Sequence, residues 1–117
     1  MNTSEESHVK TRNRRERRAR ERELSDVKAV MSTVEGRRFV WSILAKSGIS
    51  KTSFTGNSWT YFNEGMRNLG LIVQSDVLEA CPEAYLVAMQ EAKTYQKRED
   101  DAETALLSTP EKEDENG

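Results

Sequence analysis

The stretch "SWTYFNEGMRNLGLIVQSDVLEACP", residues 58–82, runs from a serine that can cap a helix to a proline that ends one. Within it, apolar side chains recur at Trp59, Phe62, Met66, Leu69, Val73 and Val77, a spacing of three and four that matches a helical period. Tyr61 and Ile72 broaden the same face. The pattern predicts a helix over about residues 58–80, capped by Asn57 or Ser58, with that row buried.

Working outward, Pro82 suits the first turn of a following helix, 83–98, whose inner face would be Tyr85, Leu86, Met89 and Ala92. Upstream, "SGISKTSFTGNS" (47–58) is a turn-rich connector anchored by Phe54. Before it, Ser32 and Glu35 fit a capping box that opens a helix running to about Lys46, with Phe39, Val40, Ile43 and Leu44 inward and Gly48 as its stop. Leu24, Val27, Met31 and Val34 form one stripe on a short helix over 24–34. No segment alternates over strand length, so the fold class is all-α, a small bundle of three to four helices.

Composition divides the chain into three parts. All eight aromatic residues lie between Phe39 and Tyr95, so the foldable domain is about 24–98. Residues 1–23 form an arginine-rich arm, expected to be disordered or an extended helix; residues 10–22 alone hold eight bases and two acids. Residues 99–117, with eight acids and one lysine, form an acidic tail expected to be mostly disordered. The formal net charge of −2 conceals this polarity. A domain this small buries only roughly 60% of its unfolded surface, so reliance on a partner is expected. The polar start excludes a secretory signal, and no run reaches the roughly 18 apolar residues of a membrane span. A soluble protein of a reducing compartment is the expectation, with Cys81 a lone thiol.

The basic run, "RNRRERRARERE" (12–23), admits two readings. Arg12/Glu16, Glu16/Arg20 and Arg17/Glu21 are i,i+4 pairs that support a solvated helix. Against that, the excess of positive charge is relieved by a polyanion through counterion release, and guanidinium forks pair bidentately with phosphate. The candidate nucleic-acid contacts are Lys10, Arg12, Arg14, Arg15, Arg17, Arg18, Arg20 and Arg22. "RRERRA" (14–19) resembles the arginine-rich RNA-binding peptides of lambdoid phage antitermination proteins. The acidic tail could pair with the arm over short distances.

Two segments echo each other 29 residues apart, "EGRRFVWSIL" from Glu35 and "EGMRNLGLIV" from Glu64. One reading is that Gly36 and Gly65 let the second and third helices touch, so that Glu35 meets Arg67 and Glu64 meets Arg37 or Arg38. The other is two unrelated solvated pairs. At the same residues, "GRRFVWSILAKSGI", "SF", "YFNEGMRNLGL" and "YLVAM" are similar to a small domain family of tailed bacteriophages and prophages, first named from a short-tailed Bordetella phage. The resemblance covers about residues 34–92 and leaves both ends outside. It implies a non-enzymatic product encoded near head, portal and packaging genes, with no established activity.

Nothing in the chain assembles catalytic chemistry. His8 is the only histidine and Cys81 the only cysteine, which precludes a zinc set and makes a Cys–His nucleophile implausible. "GISKTSFTG" lacks the spacing of a phosphate loop. No catalytic residue, metal or cofactor is therefore expected. The expected function is a virion or assembly protein, present in multiple copies, found in the host cytoplasm during assembly and then in the virion. Its domain would dock on a portal, capsid or internal virion protein, and its arm would contact DNA, RNA or an acidic surface, with no membrane partner. Trp41, Trp59 and Tyr61 are candidate interface aromatics beside their ordinary role in a core. The alternative is a regulatory RNA-binding protein of the arginine-rich antiterminator type.

Overall fold

The structure, a computed structural model, describes residues 3–108. Its order is α1 (Thr3–Val30), α2 (Val34–Ser47), α3 (Trp59–Ala80) and α4 (Pro82–Ser108), with no strand among the described residues. The all-α bundle read from the sequence is what forms.

Local chemistry sets the boundaries of the inner helices. The Thr33 hydroxyl caps α2 by accepting the Gly36 amide at 3.0 Å, one residue later than the expected Ser32 cap. Gly48, left-handed at φ 77°, ends α2 as its position predicted. The Asn57 side-chain oxygen accepts the Trp59 amide at 2.9 Å at the start of α3. Pro82 opens α4, where its missing N–H costs nothing.

The outer helices are longer than expected. α1 runs unbroken through the arginine run, because no Gly or Pro lies within it and Arg, Glu and Ala favour helix. The expected short helix 24–34 is only its last turns; Val34 opens α2 and is exposed. α4 passes residue 98 and continues through Ser108, so the first ten residues of the acidic tail are helical. The rest of that tail, and residues 1–2, lie outside the described residues. α1 packs on α3, and α2 on α3 and α4, whereas α1 does not pack along α4.

The core is small. Met31, Val77 and Ala88 are buried, with Val27, Val40, Trp41, Cys81, Ala84 and Tyr85 around them. Leu44 is buried on α2. Here the expected register fails. Of the row predicted to be inside α3, Val77 is buried and Met66 and Val73 half-buried, while Trp59, Phe62 and Leu69 are exposed, as are Tyr61 and Ile72. Phe39 of α2 and Leu86 of α4, also expected inward, are exposed too. The inner face of α3 instead follows Asn63, Met66, Gly70, Gln74 and Val77, a rotation of roughly 55° that keeps Met66 and Val77 inside.

Gly70 explains that rotation. A Cβ there would overlap the Ser47 side chain and the Ile49 methyl, so α2 and its following turn approach α3 at the one place where a side chain is missing. The inner face is completed by polar contacts: Gln74 donates to the Tyr85 hydroxyl at 2.8 Å, and Asn63 donates to the Ser53 carbonyl at 3.3 Å.

A second close approach closes the α1–α2 turn. A Cβ on Gly36 would overlap the Val30 carbonyl oxygen. Beside it, Arg37 donates through Nε to Glu91 Oε1 at 2.6 Å and through Nη2 to Glu91 Oε2 at 3.4 Å, while Nη1 donates to the Met31 carbonyl at 3.1 Å. One side chain thus joins the turn after α1 to α2 and α4.

Two outcomes check these contacts. Gly70→Ala is expected to cost about 1–3 kcal/mol in urea unfolding followed by circular dichroism, with part recovered in Gly70→Ala/Ser47→Ala. The Glu91 carboxyl is held below its ordinary value by the hydrogen bonds from Arg37. A depressed folded-state value contributes stability above the unfolded value, about 4.3, that is lost as pH falls through the folded one. Arg37→Met should therefore be less stable than wild type at pH 7, and the gap should narrow below about pH 4.

Candidate functional site: a basic helix and an exposed apolar face

The arginine run stands on a helix whose residues 10–19 are all exposed. At 100° per residue, Arg17, Lys10, Arg14, Arg18, Arg22 and Arg15 fall within an arc of about 160°. The middle of the arc lies about 130° from the side on which Leu24, Val27 and Met31 enter the bundle; Arg17 and Lys10 form its near edge beside Leu24, and Arg12 lies about 60° beyond the far edge. The Arg14 Nε donates to the Lys10 carbonyl at 3.4 Å, along the strip itself.

Arg20 is different from the other seven. It turns toward α3 and meets Glu23 at 2.7 Å, Asp76 at 2.8 Å and Glu79 at 2.6 Å. Hydrogen bonds to Glu79 and Asp76 raise its pKa above the ordinary arginine value. Its donors serve the α1–α3 contact rather than an external anion. The sequence carried the signal for this: Arg20 sits four residues before Leu24, on the extension of the apolar seam, where a long charged side chain can continue a contact by pairing.

The echoed Glu-Gly motifs do not meet. Arg37 pairs with Glu91 of α4, not with Glu64, and no ion pair joins Glu35 to Arg67. Arg38 is exposed and makes no salt bridge. Gly36 does sit at a close approach, but to the end of α1 rather than to α3. Gly65 is exposed, with nothing within 4 Å of the place its Cβ would take. The contact glycine of α3 is Gly70, five residues on, which faces α2.

The three candidate aromatics divide. Trp41 is half-buried against Tyr85, ring centroids 5.5 Å apart, and belongs to the core. Trp59 is exposed and meets Phe62 edge-on at 5.7 Å, and Tyr61 is exposed beside them. Tyr61 and Phe62 make, with Leu69 and Ile72, an apolar outer face on α3, and Trp59 lies beside it at the start of the helix.

No reactive constellation accompanies these surfaces. His8 is exposed on α1. Burial pushes the Cys81 thiol up, which disfavours the thiolate. Among the described residues no group of His, Cys, Asp and Glu could hold a metal ion. No helix there is long and apolar enough to cross a membrane. The cleft between α2, the following loop and α3, near Lys46, Lys51 and Asn63, is open, and its lining includes no His, Cys or carboxylate.

Comparison with known proteins places this bundle. No curated protein and no solved structure matches the chain significantly. A family model described as Bbp19-like phage protein matches residues 27–91, from the last turn of α1 to the middle of α4. The match takes in the whole core, the Arg37–Glu91 pair and both close-approach glycines, and leaves the basic strip and the acidic turns outside. With more than half of its length inside that match, the chain belongs to the family of Bbp19-like phage proteins.

Proposed function

We propose that the protein is a non-enzymatic phage virion or assembly protein, present in the host cytoplasm during assembly and then in the particle. Its bundle docks on a head, portal or internal virion protein. Its basic helix contacts packaged DNA or another acidic surface. The observation that carries the second half is the strip of six cationic side chains, all exposed, on a helix that leaves the bundle. Like charges so placed repel one another, and phosphate contact relieves them by releasing counterions. Arginine suits this task, because its fork can grip a phosphate with two bonds. The first half rests on family membership and on a bundle whose exposed apolar side chains exceed what a free surface needs.

Mass spectrometry of purified procapsids and virions is the deciding measurement: the protein should be present in virions at a fixed copy number. Absence from both particles, with crosslinking to a single transcript, would establish the regulatory RNA-binding role instead. On duplex DNA the logarithm of affinity should fall with the logarithm of salt. Replacing Arg14, Arg17 and Arg18 by alanine should flatten that slope by about 2.7, measured by fluorescence anisotropy. Arg20→Ala should leave the slope nearly unchanged and loosen α1 from α3, because its charge is already engaged.

A further inference from the structure

We infer that the outer face of α3 is a two-fold interface between two copies of this chain, the helices crossing antiparallel at Gly65. This goes beyond the assembly role above and does not depend on nucleic acid. Tyr61 is 84% exposed, Phe62 56%, Leu69 60% and Ile72 58%. On a helix these four and Gly65 fall within an arc of about 100°, opposite the inner face of Asn63, Gly70 and Val77. Together these four side chains offer on the order of 500 Å². That lies in the upper part of the roughly 300–600 Å² range of the largest patch on a monomer, a size that is often functional, and is more than half of the roughly 800 Å² that each partner gives to a standard interface.

Three features select a second copy as the occupant. First, the apolar Tyr61 and Leu69 stand four residues to either side of Gly65, while Phe62 and Ile72 would face Asn68 and Ser58. An antiparallel crossing there sets each Tyr61 against the other copy's Leu69, as a self-complementary interface requires. Second, the outward positions Ser58, Tyr61, Phe62, Gly65, Asn68, Leu69, Ile72 and Ser75 carry no charge, so the face can meet itself without repulsion. Glu64, half-buried, borders the stripe, and Arg67, also half-buried, lies further round toward the inner face. Third, Gly65 is unfavourable within a helix, and the bundle makes no use of its missing side chain. Placed in the middle of an outward apolar stripe, it admits the backbone of a second helix. The open length is bounded: Arg20 covers the face at Asp76 and Glu79, leaving the turns from Ser58 to Ser75 clear.

Sedimentation equilibrium of the full chain should give twice the 13.4 kDa chain mass at micromolar concentration. Leu69→Glu should yield monomer with an unchanged helical circular dichroism spectrum. Gly65→Leu should weaken association by roughly tenfold or more while the helical signal holds or rises; a glycine with only a local role would leave association unchanged. Should either variant fail to fold, Gly65→Cys in a Cys81→Ser background decides the matter, because thiols at the crossing would join into a disulfide dimer under mild oxidation. A chain monomeric at every concentration, or a dimer that neither surface change weakens and whose position-65 thiols stay unlinked, would overturn the inference.

Discussion

The fork of Arg37 holds together the part of the molecule that everything else is mounted on. Its guanidinium grips both oxygens of Glu91 on α4 and the carbonyl of Met31 in the turn that follows α1. The same turn is drawn tight because Gly36 lets the backbone pass under the Val30 carbonyl. Met31 is thereby brought inward, where it meets Val77 and Ala88 and is, with Val77, one of the two fully buried side chains of the core. A bundle with so few buried apolar residues depends on such directed contacts more than a larger domain would, since area alone offsets less of the entropy of folding. The clamp is partly shielded, with Arg37 15% exposed at its side chain, so its hydrogen bonds are screened less than those of a surface pair.

α3 is a helix with two opposed uses. Its inner face mixes Met66 and Val77 with small and polar residues, Gly70 against Ser47 and Gln74 against Tyr85, so closeness and hydrogen bonding supplement bulk. Its large apolar side chains look the other way. In an isolated globule that arrangement is inverted from what burial favours. It becomes economical when a protein is selected to be one component of a larger assembly, where the outer face is buried by a neighbour.

How much of this was legible follows from the same contrast. Helix ends were readable wherever a residue with a single conformational role marked them: Gly48 after α2 and Pro82 before α4. The all-helical class was readable from periodicity. The rotation of α3 was not, because hydrophobic spacing reports that a helix has an apolar face but not whether that face turns toward its own chain or toward another. Nor was the partner of Arg37, since Glu91 lies 54 residues away and the nearer echo of Glu-Gly-x-Arg offered a plausible but absent mate. Arg20 and Arg17 both fall on the upstream extension of the Leu24 seam, and spacing alone does not show that Arg20 meets Asp76 and Glu79 while Arg17 stays exposed. Composition left the first arm open between disorder and an extended helix, and α1 forms the helix; the reach of α4 to Ser108 goes beyond the mostly disordered tail that the acidic composition suggested.

The placement of charge on α1 and α4 has an electrical consequence. The basic strip and the acidic turns at Glu99–Glu103 sit on helices that do not pack along each other, in a molecule 94 Å long. Physiological ions damp a field within about 8 Å, so charges on helices that do not pack along each other are largely screened from one another. The near-neutral sum of the charges therefore misdescribes the protein. A nearby polyanion acts on a permanent dipole and turns it, basic end foremost, before any contact is made.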